Sequence, residues 1–294
     1  MRSIVNDNFA ALYREMLDYI YNDPEYETAP RGLKIREATN FEIILRDPTS
    51  NIFHNSSRSP KFRYLYPELL WYFSGRNDLE FISRYSKFWN KIANTDGTVN
   101  SAYGYLLFQQ KNKYAFTEYQ WAFESLAKDK DSRQAILRFN KPEHSYHNNK
   151  DFVCTLSGIF HIRDNELNFT TTMRSQDVWF GIIYDIPFYT LLMQQMCNHL
   201  KVIYPELKLG TYVHYVMSEH IYEKDFPAVE EMLKHEFKPA STPLLKENLI
   251  NTDGSPTRLL HEAIEAVEKN CEYTDFGDEL INTMVEHSLR EPNE

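Results

Sequence analysis

Cys154 stands in the segment DFVCTLSG, and twenty residues later MRSQDVWFG brings Arg174, Ser175 and Asp177 within four positions. A cysteine becomes a nucleophile as its thiolate, the form that a neighbouring cation favours. Arginine followed by serine is a natural phosphate clamp, one forked cation and one hydroxyl. Taken alone, a cysteine in a strand is more often a small core hydrophobe, and an Arg-Ser pair on a surface would mean little. Set between apolar strands and an apolar helix, the two features strengthen each other.

The elements that must position them are readable from periodicity. Residues 8–22 carry Phe9, Leu12, Tyr13, Met16, Tyr19 and Ile20 at helical spacing. FEIIL (41–45) reads as a strand, Pro67 as the start of the helix PELLWYF, and residues 78–92 as a second helix. After the turn at Asp131-Ser132-Arg133, QAILRF reads as a strand. DFVCTLSGIFHI and ELNFTTTM read as two strands joined in a hairpin through Arg163-Asp164-Asn165. IPFYTLLMQQMCNHL is a helix apolar almost all round, hence buried. YVHYVM is a further strand, and amphipathic segments follow near 226–235 and 257–270. Strands mixed with long helices, without regular alternation, predict an α+β fold, and no repeat or linker divides residues 1–294, which read as a single catalytic domain.

Composition narrows the function. The 294 residues are 42% hydrophobic and 25% charged, ordinary for a soluble globular chain. Only 9 glycines argue against a Gly-rich dinucleotide fold. Lys and Arg total 32 against 42 Asp and Glu, a net charge of −10, which disfavours long nucleic acid as a partner but permits one phosphate in a local arginine cluster. Cys154, Cys197 and Cys271 are far apart and lack metal-site spacing, which predicts no bound metal and a reduced, cytoplasmic setting. No apolar run is long enough to span a bilayer, and the N-terminus lacks the apolar core of a signal peptide.

PELLWYFSG, FWNKIA with GTVNSAYG, DSRQAI, DFVCT, MRSQDVWFG and SEHIY follow one another in an order and spacing that resembles the thymidylate synthases, over roughly residues 30 to 226. The resemblance implies a large twisted mixed β-sheet with packed helices, the sheet lying at a homodimer interface. It makes Cys154 the nucleophile that adds to C6 of a pyrimidine nucleotide. Glu68 becomes the glutamate that organises proton transfer through water; alone it would be a solvated helix-start carboxylate. Trp89 and Tyr103 become the aromatic wall and the tyrosine of the cleft, where unaided both would be core. Arg174 and Ser175 match the phosphate clamp, Asp177 the residue near the pyrimidine edge and the folate, and His220 with Tyr222 the pair that holds the sugar hydroxyl. Trp89, Asp177 and Gly181 are the expected contacts of 5,10-methylenetetrahydrofolate. Arg133 matches an arginine that reaches the partner subunit's phosphate, implying shared active sites, although Gln134 replaces the family's usual second arginine. Arg31, in PRGLK, is the candidate for a mobile phosphate-binding loop.

The informative departure is Asp185. The family reads like G-x-P-F-N after the glycine, and its asparagine reads the uracil edge; counting from Gly181, that position is Asp185 in GIIYDIPFY. An asparagine amide donates and accepts, which suits uracil O4 and N3–H, whereas a carboxylate accepts and so suits the N4 amino group of cytosine. An unmatched buried polar contact costs roughly 1–3 kcal/mol. Thr155 after the cysteine and Met173 before Arg174, where synthases usually carry histidine and glutamine, also resemble the deoxycytidylate hydroxymethylase branch. The competing reading makes Asp185 an N-cap for a helix that starts at Ile186.

The resemblance thus implies conversion of dCMP to its 5-hydroxymethyl derivative, with C5 activated by Cys154 and water completing the reaction. The charged ending HSLREPNE, unlike the short apolar tail with which synthases exclude water, favours that outcome over methylation. Synthase-type methylation of dUMP or dCMP, hydroxymethylation of CMP or dUMP, and a non-catalytic nucleotide-binding homologue remain as alternatives.

Overall fold

The computed structural model describes residues 2–271 and 275–289. Along the chain run β1 (Arg2–Asn6), α1 (Phe9–Asn22), β2 (Tyr26–Thr28), β3 (Ile35–Leu45), β4 (Ile52–His54), α2 (Phe62–Phe73), α3 (Leu79–Ile82), α4 (Trp89–Ile92), α5 (Tyr103–Phe108) and α6 (Glu118–Lys128). Then come β5 (Ile136–Arg138), β6 (Thr155–Arg163), β7 (Glu166–Met173), β8 (Gln176–Asp177), α7 (Ile182–Lys201), β9 (Lys208–Tyr222), α8 (Phe226–Leu233), β10 (Lys238–Ala240), α9 (Arg258–Glu268) and α10 (Glu279–Leu289). The fold is α+β with a large mixed sheet. Two compact units are each built from three stretches: Met1–Pro60, Cys154–Gln194 and Leu207–Thr242 in the first, Lys61–Val153, Gln195–Glu206 and Pro243–Glu294 in the second.

The sheet of the first unit runs β1–β3–β9–β7–β6, with β2 added to β3 and β8 to β9. β1–β3, β7–β9 and β8–β9 are parallel; β2–β3, β3–β9 and β6–β7 are antiparallel. The β6–β7 hairpin forms where Asp164 and Asn165 promise it, both at positive φ (51° and 60°), as a tight two-residue turn requires. α1 is capped by Asn8, whose side chain accepts from the Ala11 amide, and buries Phe9, Leu12, Tyr13, Met16 and Ile20 along one face.

α7 starts at Ile182, not at Ile186, because Ile182 and Ile183 are fully buried and extend the apolar face backwards. Pro187 therefore lies inside the helix, where it removes one backbone bond. Asp185 sits in the first turn, its amide donating to the Gly181 carbonyl at 3.1 Å, so it is not the N-cap.

β3 and β9 change face partway along. Tyr212, His214 and Val216 are buried in β9, and then Glu219; Leu45, Ile43 and Phe41 are buried in β3, and then Ala38. Strict alternation would have turned Ser218 and Thr39 inward instead. The slip falls at Asn40, left-handed at φ 52°, a conformation asparagine tolerates better than most residues. The Tyr215 hydroxyl donates to Asn40 Oδ1 at 2.8 Å and helps hold it. Ala38 and Glu219, partners in the ladder, are thereby turned to the interior together.

In the second unit α2 begins at Phe62, so Pro67 lies within it rather than opening it. The extra turn forms because Phe62 and Tyr66 pack on His287 of α10, with Tyr66 stacked on it at 5.0 Å between ring centres. Residues 78–92 form two short helices, α3 and α4, instead of one. Asp78 caps the first, and Ser86 Oγ accepts from the Phe88 amide in the break, the local competition with helix that serine offers. Gly104 permits α5 to lie on α2: a Cβ there would stand 1.6 Å from the Tyr72 carbonyl oxygen. The charged ending lies partly in α10, which closes at Leu289; residues 290–294 fall outside the described ones. No helix among the described residues is long and apolar enough to cross a membrane.

The face change at Asn40 makes a direct stability prediction. Asn40→Val should lower the unfolding free energy by about 1–2 kcal/mol, whereas Asn40→Gly should stay within about 1 kcal/mol of wild type. Urea midpoints compare them, and a valine variant as stable as the glycine variant would contradict the left-handed strand position.

Candidate active site

Cys154 lies immediately before β6 rather than within it. The β6–β7 ladder brings Thr155 opposite Met173, and one step further the Arg174 amide donates to the Cys154 carbonyl at 2.9 Å. This backbone bond sets the two side chains together, with Arg174 Nη2 at 3.4 Å from Cys154 Sγ. A guanidinium against a sulfur favours negative charge on it. Thr155 and Met173 themselves are buried, and Thr155 shares a 2.6 Å hydrogen bond with the Tyr189 hydroxyl.

The β8–β9 ladder aligns Asp177 with His220. Asp177 Oδ1 accepts from the amides of Trp179 and Phe180, at 2.8 and 3.2 Å, which fixes the turn into α7. Burial pushes the Asp177 carboxyl above the usual carboxylate range, with His220 pulling the other way, and burial holds His220 below its usual value. His220 donates through Nδ1–H to the Ser218 carbonyl at 3.3 Å, leaving Nε2 to accept, and its ring meets Tyr222 edge-on at 5.0 Å. Arg31, at φ 55° in the short turn Pro30–Gly32, is close enough for its charge to add to the lowering of His220. Ser175 is half-buried between Arg174 and β8.

Asp185 keeps part of its residue surface open while protein encloses its carboxyl, and that enclosure pushes it up to about 7. The one hydrogen bond opposing the rise comes from Gln176 Nε2, which donates to Asp185 Oδ2 at 2.9 Å. Gly181 leaves the room: a Cβ there would stand 2.3 Å from Gln176 Nε2. Gly181 is thus seen supporting Gln176, whatever it also offers a folate.

The second unit holds Glu68, Trp89, Tyr103 and Arg133. Glu68 is buried and accepts a hydrogen bond from the Tyr64 hydroxyl, which in turn accepts from Trp89 Nε1 at 3.1 Å. Trp89 leans on Trp71, and Tyr103 stacks on Tyr72 at 5.3 Å. Arg133 is exposed in the turn before β5. Tyr64, Gln176 and Glu219 escaped the sequence reading. The spacing of Tyr64 and Glu68 is a helical neighbour pair, visible only once the helix is known to start before Pro67.

Residues 12–265 match the family model described as Thymidylate synthase, and the chain belongs to that family. It is an enzyme of a family that binds pyrimidine nucleotides and reduced folates and modifies pyrimidine C5. Over 192 residues it is 29% identical to the deoxycytidylate 5-hydroxymethyltransferase of Enterobacteria phage T6, covering 63% of this chain and 75% of that protein. Over 227 residues it is 25% identical to the deoxyuridylate hydroxymethyltransferase of Bacillus phage SP01, covering 74% and 58% of the two chains. It is also 25% identical over 211 residues to the thymidylate synthase of Symbiobacterium thermophilum, covering 65% and 67%.

If the guanidinium activates the sulfur, Arg174→Gln should slow alkylation of Cys154 at neutral pH by about tenfold, the effect of roughly 1.4 kcal/mol on the thiolate. Mass mapping separates Cys154 from the exposed Cys271 and the buried Cys197. An unchanged rate would remove the activating role.

Proposed function

We propose that the protein is a deoxycytidylate 5-hydroxymethyltransferase that converts dCMP to 5-hydroxymethyl-dCMP. The observation that carries the reading is the enclosed Asp185 carboxyl, lifted to about 7 at the position where the family's asparagine reads uracil. Such a group can accept from cytosine N4–H₂ and also hold a proton for N3.

In this reading Arg174 and Ser175, with Arg31, bind the phosphate, and His220 and Tyr222 hold the sugar hydroxyl. Cys154 adds through its sulfur to C6, forming an S–C bond and moving the C5–C6 electron pair toward C5 and the N3–C4 edge. N3 becomes more basic in this adduct, so the proton held by Asp185 stabilises it more than the unreacted base. Only such a difference speeds the chemical step. Glu68, supported by Tyr64, takes the role of managing protons through water that the family resemblance gives it, and Trp89 and Tyr103 keep the roles of aromatic wall and tyrosine.

The features around Asp177 fit a reduced folate: its carboxyl offers an acceptor, and the half-exposed ring of Phe180 beside it offers an apolar face. Bound there, 5,10-methylenetetrahydrofolate supplies the one-carbon unit. Bonding of that carbon to C5, with loss of the C5 proton and departure of tetrahydrofolate as its carbon–nitrogen bond breaks, would leave an exocyclic methylene on the base, to which water adds. Elimination of the Cys154 sulfur from C6 would then restore the aromatic base and give the hydroxymethyl product. The product test is incubation with dCMP, dUMP or CMP and the folate. A gain of CH₂O on dCMP supports the reading; a methyl gain, or reaction confined to dUMP, overturns it.

The shared-site dimer is part of the proposal, because exposed Arg133 is suited to a phosphate on a second copy. Cys154→Ala and Arg133→Ala proteins, each inactive or weak, should regain activity when mixed, since one site of the hybrid holds both native groups. A fully active monomer would contradict this.

Asp185 gives the sharpest prediction. The free enzyme needs Asp185 protonated to serve N3, so kcat/KM for dCMP should fall as pH rises above about 7. Asp185→Asn should abolish that limb, lower kcat/KM for dCMP by about tenfold or more, and admit dUMP. An unchanged preference between dCMP and dUMP would reduce Asp185 to a structural residue.

A further inference from the structure

Glu219 is fully buried, and neither of its carboxyl oxygens has a hydrogen-bond partner. A buried ionised carboxylate left in that state is very costly, so the group stays neutral or finds a donor. The face change at Asn40 is what turns it inward. In the β8–β9 ladder its register partner is Gln176, on a neighbouring strand about 4.8 Å away, so the two side chains share a face. Gln176 uses Nε2 on Asp185, and its own Oε1 is buried without a donor. A buried acid with a proton to give therefore lies beside a buried amide oxygen that lacks one.

We infer that Glu219 is a positioning residue for Asp185: its protonated carboxyl donates to Gln176 Oε1 and so keeps the amide's NH₂ turned toward the Asp185 carboxyl. An amide can present either end, and only its partners decide which. With Glu219 as donor on one side, the carboxyl of Asp185 always meets N–H on the other. This rests on the reading of Asp185 as the group that faces the base.

Burial first, and the neighbouring acids second, favour the protonated form of Glu219. Burial raises it well above the usual carboxylate range, and the acids Asp177 of β8 and Asp185 of α7 add to the rise. β3 presents only the small Ala38 opposite. On the flanks, Tyr212 of β9 feels Asp185, and Tyr13 of α1 feels both Asp177 and Arg58. His220 and Lys224 act on Asp177. The sign of the linkage follows. Unfolded Glu219 ionises at its ordinary value while folded Glu219 stays protonated, so its contribution is intact below the unfolded value and stability is lost as pH rises from there toward the folded value.

Measurements on the full chain test this, some without turnover. Infrared difference spectra between wild type and Glu219→Gln at neutral pH should show the carbonyl stretch of a protonated acid; carboxylate bands in its place overturn the proposal. Glu219→Gln should raise the melting temperature more at pH 8 than at pH 5, and an equal change at both would also overturn it. In activity, Glu219→Gln keeps a donor and should hold kcat/KM within about threefold, whereas Glu219→Met should lower kcat by about tenfold with little change in KM. Without a fixed donor Asp185 holds its proton more tightly, so the alkaline limb should move to higher pH in Glu219→Met. Gln176→Met should move it the same way, which keeps the test open if the Glu219→Met protein fails to fold. An unmoved limb, or equal losses in the Gln and Met variants, contradicts the inference. Failure of the cytosine assignment looks different: Asp185→Asn would leave base preference unchanged while the infrared and melting results still report the proton on Glu219.

Discussion

A carboxyl enclosed by protein gives up its proton only as readily as its neighbours donate to it, and at Asp185 the donor is the Gln176 amide. Much of the first unit serves that contact. α7 must start early enough to place Asp185 in its first turn, and Gly181 must lack a side chain for the amide to pass. The β8–β9 ladder must hold Gln176 beside Glu219, and the slip at Asn40 must turn Glu219 inward. The result is a group poised near neutrality, able to give or accept, where an asparagine would be fixed as donor and acceptor.

Cys154, the proposed nucleophile, is placed by the same economy of backbone. Extending the β6–β7 ladder by one hydrogen bond sets Arg174 against Cys154. Two residues further on β8 begins, and its pairing aligns Asp177 with His220. Thus MRSQD lays down, in five consecutive residues, a buried anchor, a cation beside the sulfur, a hydroxyl, the amide that faces Asp185, and the acid that folds the turn into α7. In the second unit Tyr64, itself held by Trp89, orders the Glu68 carboxyl.

What was legible in the sequence was local. The Asp164-Asn165 hairpin and the apolar face of α1 depend on neighbouring residues, and both formed where expected. The family resemblance marked the cysteine and the arginine on motif order alone. What escaped depended on distant contacts. Two helices begin five residues before an internal proline, because Phe62 and Tyr66 meet His287 and because Ile182 and Ile183 find the core. Residues 78–92 split where serine competes for the backbone. Glu219 could not be read as buried from YVHYVMSEHIY, since the change of face depends on Asn40, some 180 residues earlier in a different strand.

In the proposed reaction this site activates cytosine in preference to uracil. The most direct measurement is release of the C5 hydrogen from isotopically labelled dCMP and dUMP, each with 5,10-methylenetetrahydrofolate, because release follows addition of Cys154 whatever the later fate of the one-carbon unit. The expected result is release from dCMP at least about tenfold faster than from dUMP, the factor that roughly 1.4 kcal/mol of discrimination provides. Equal release, or faster release from dUMP, would contradict it.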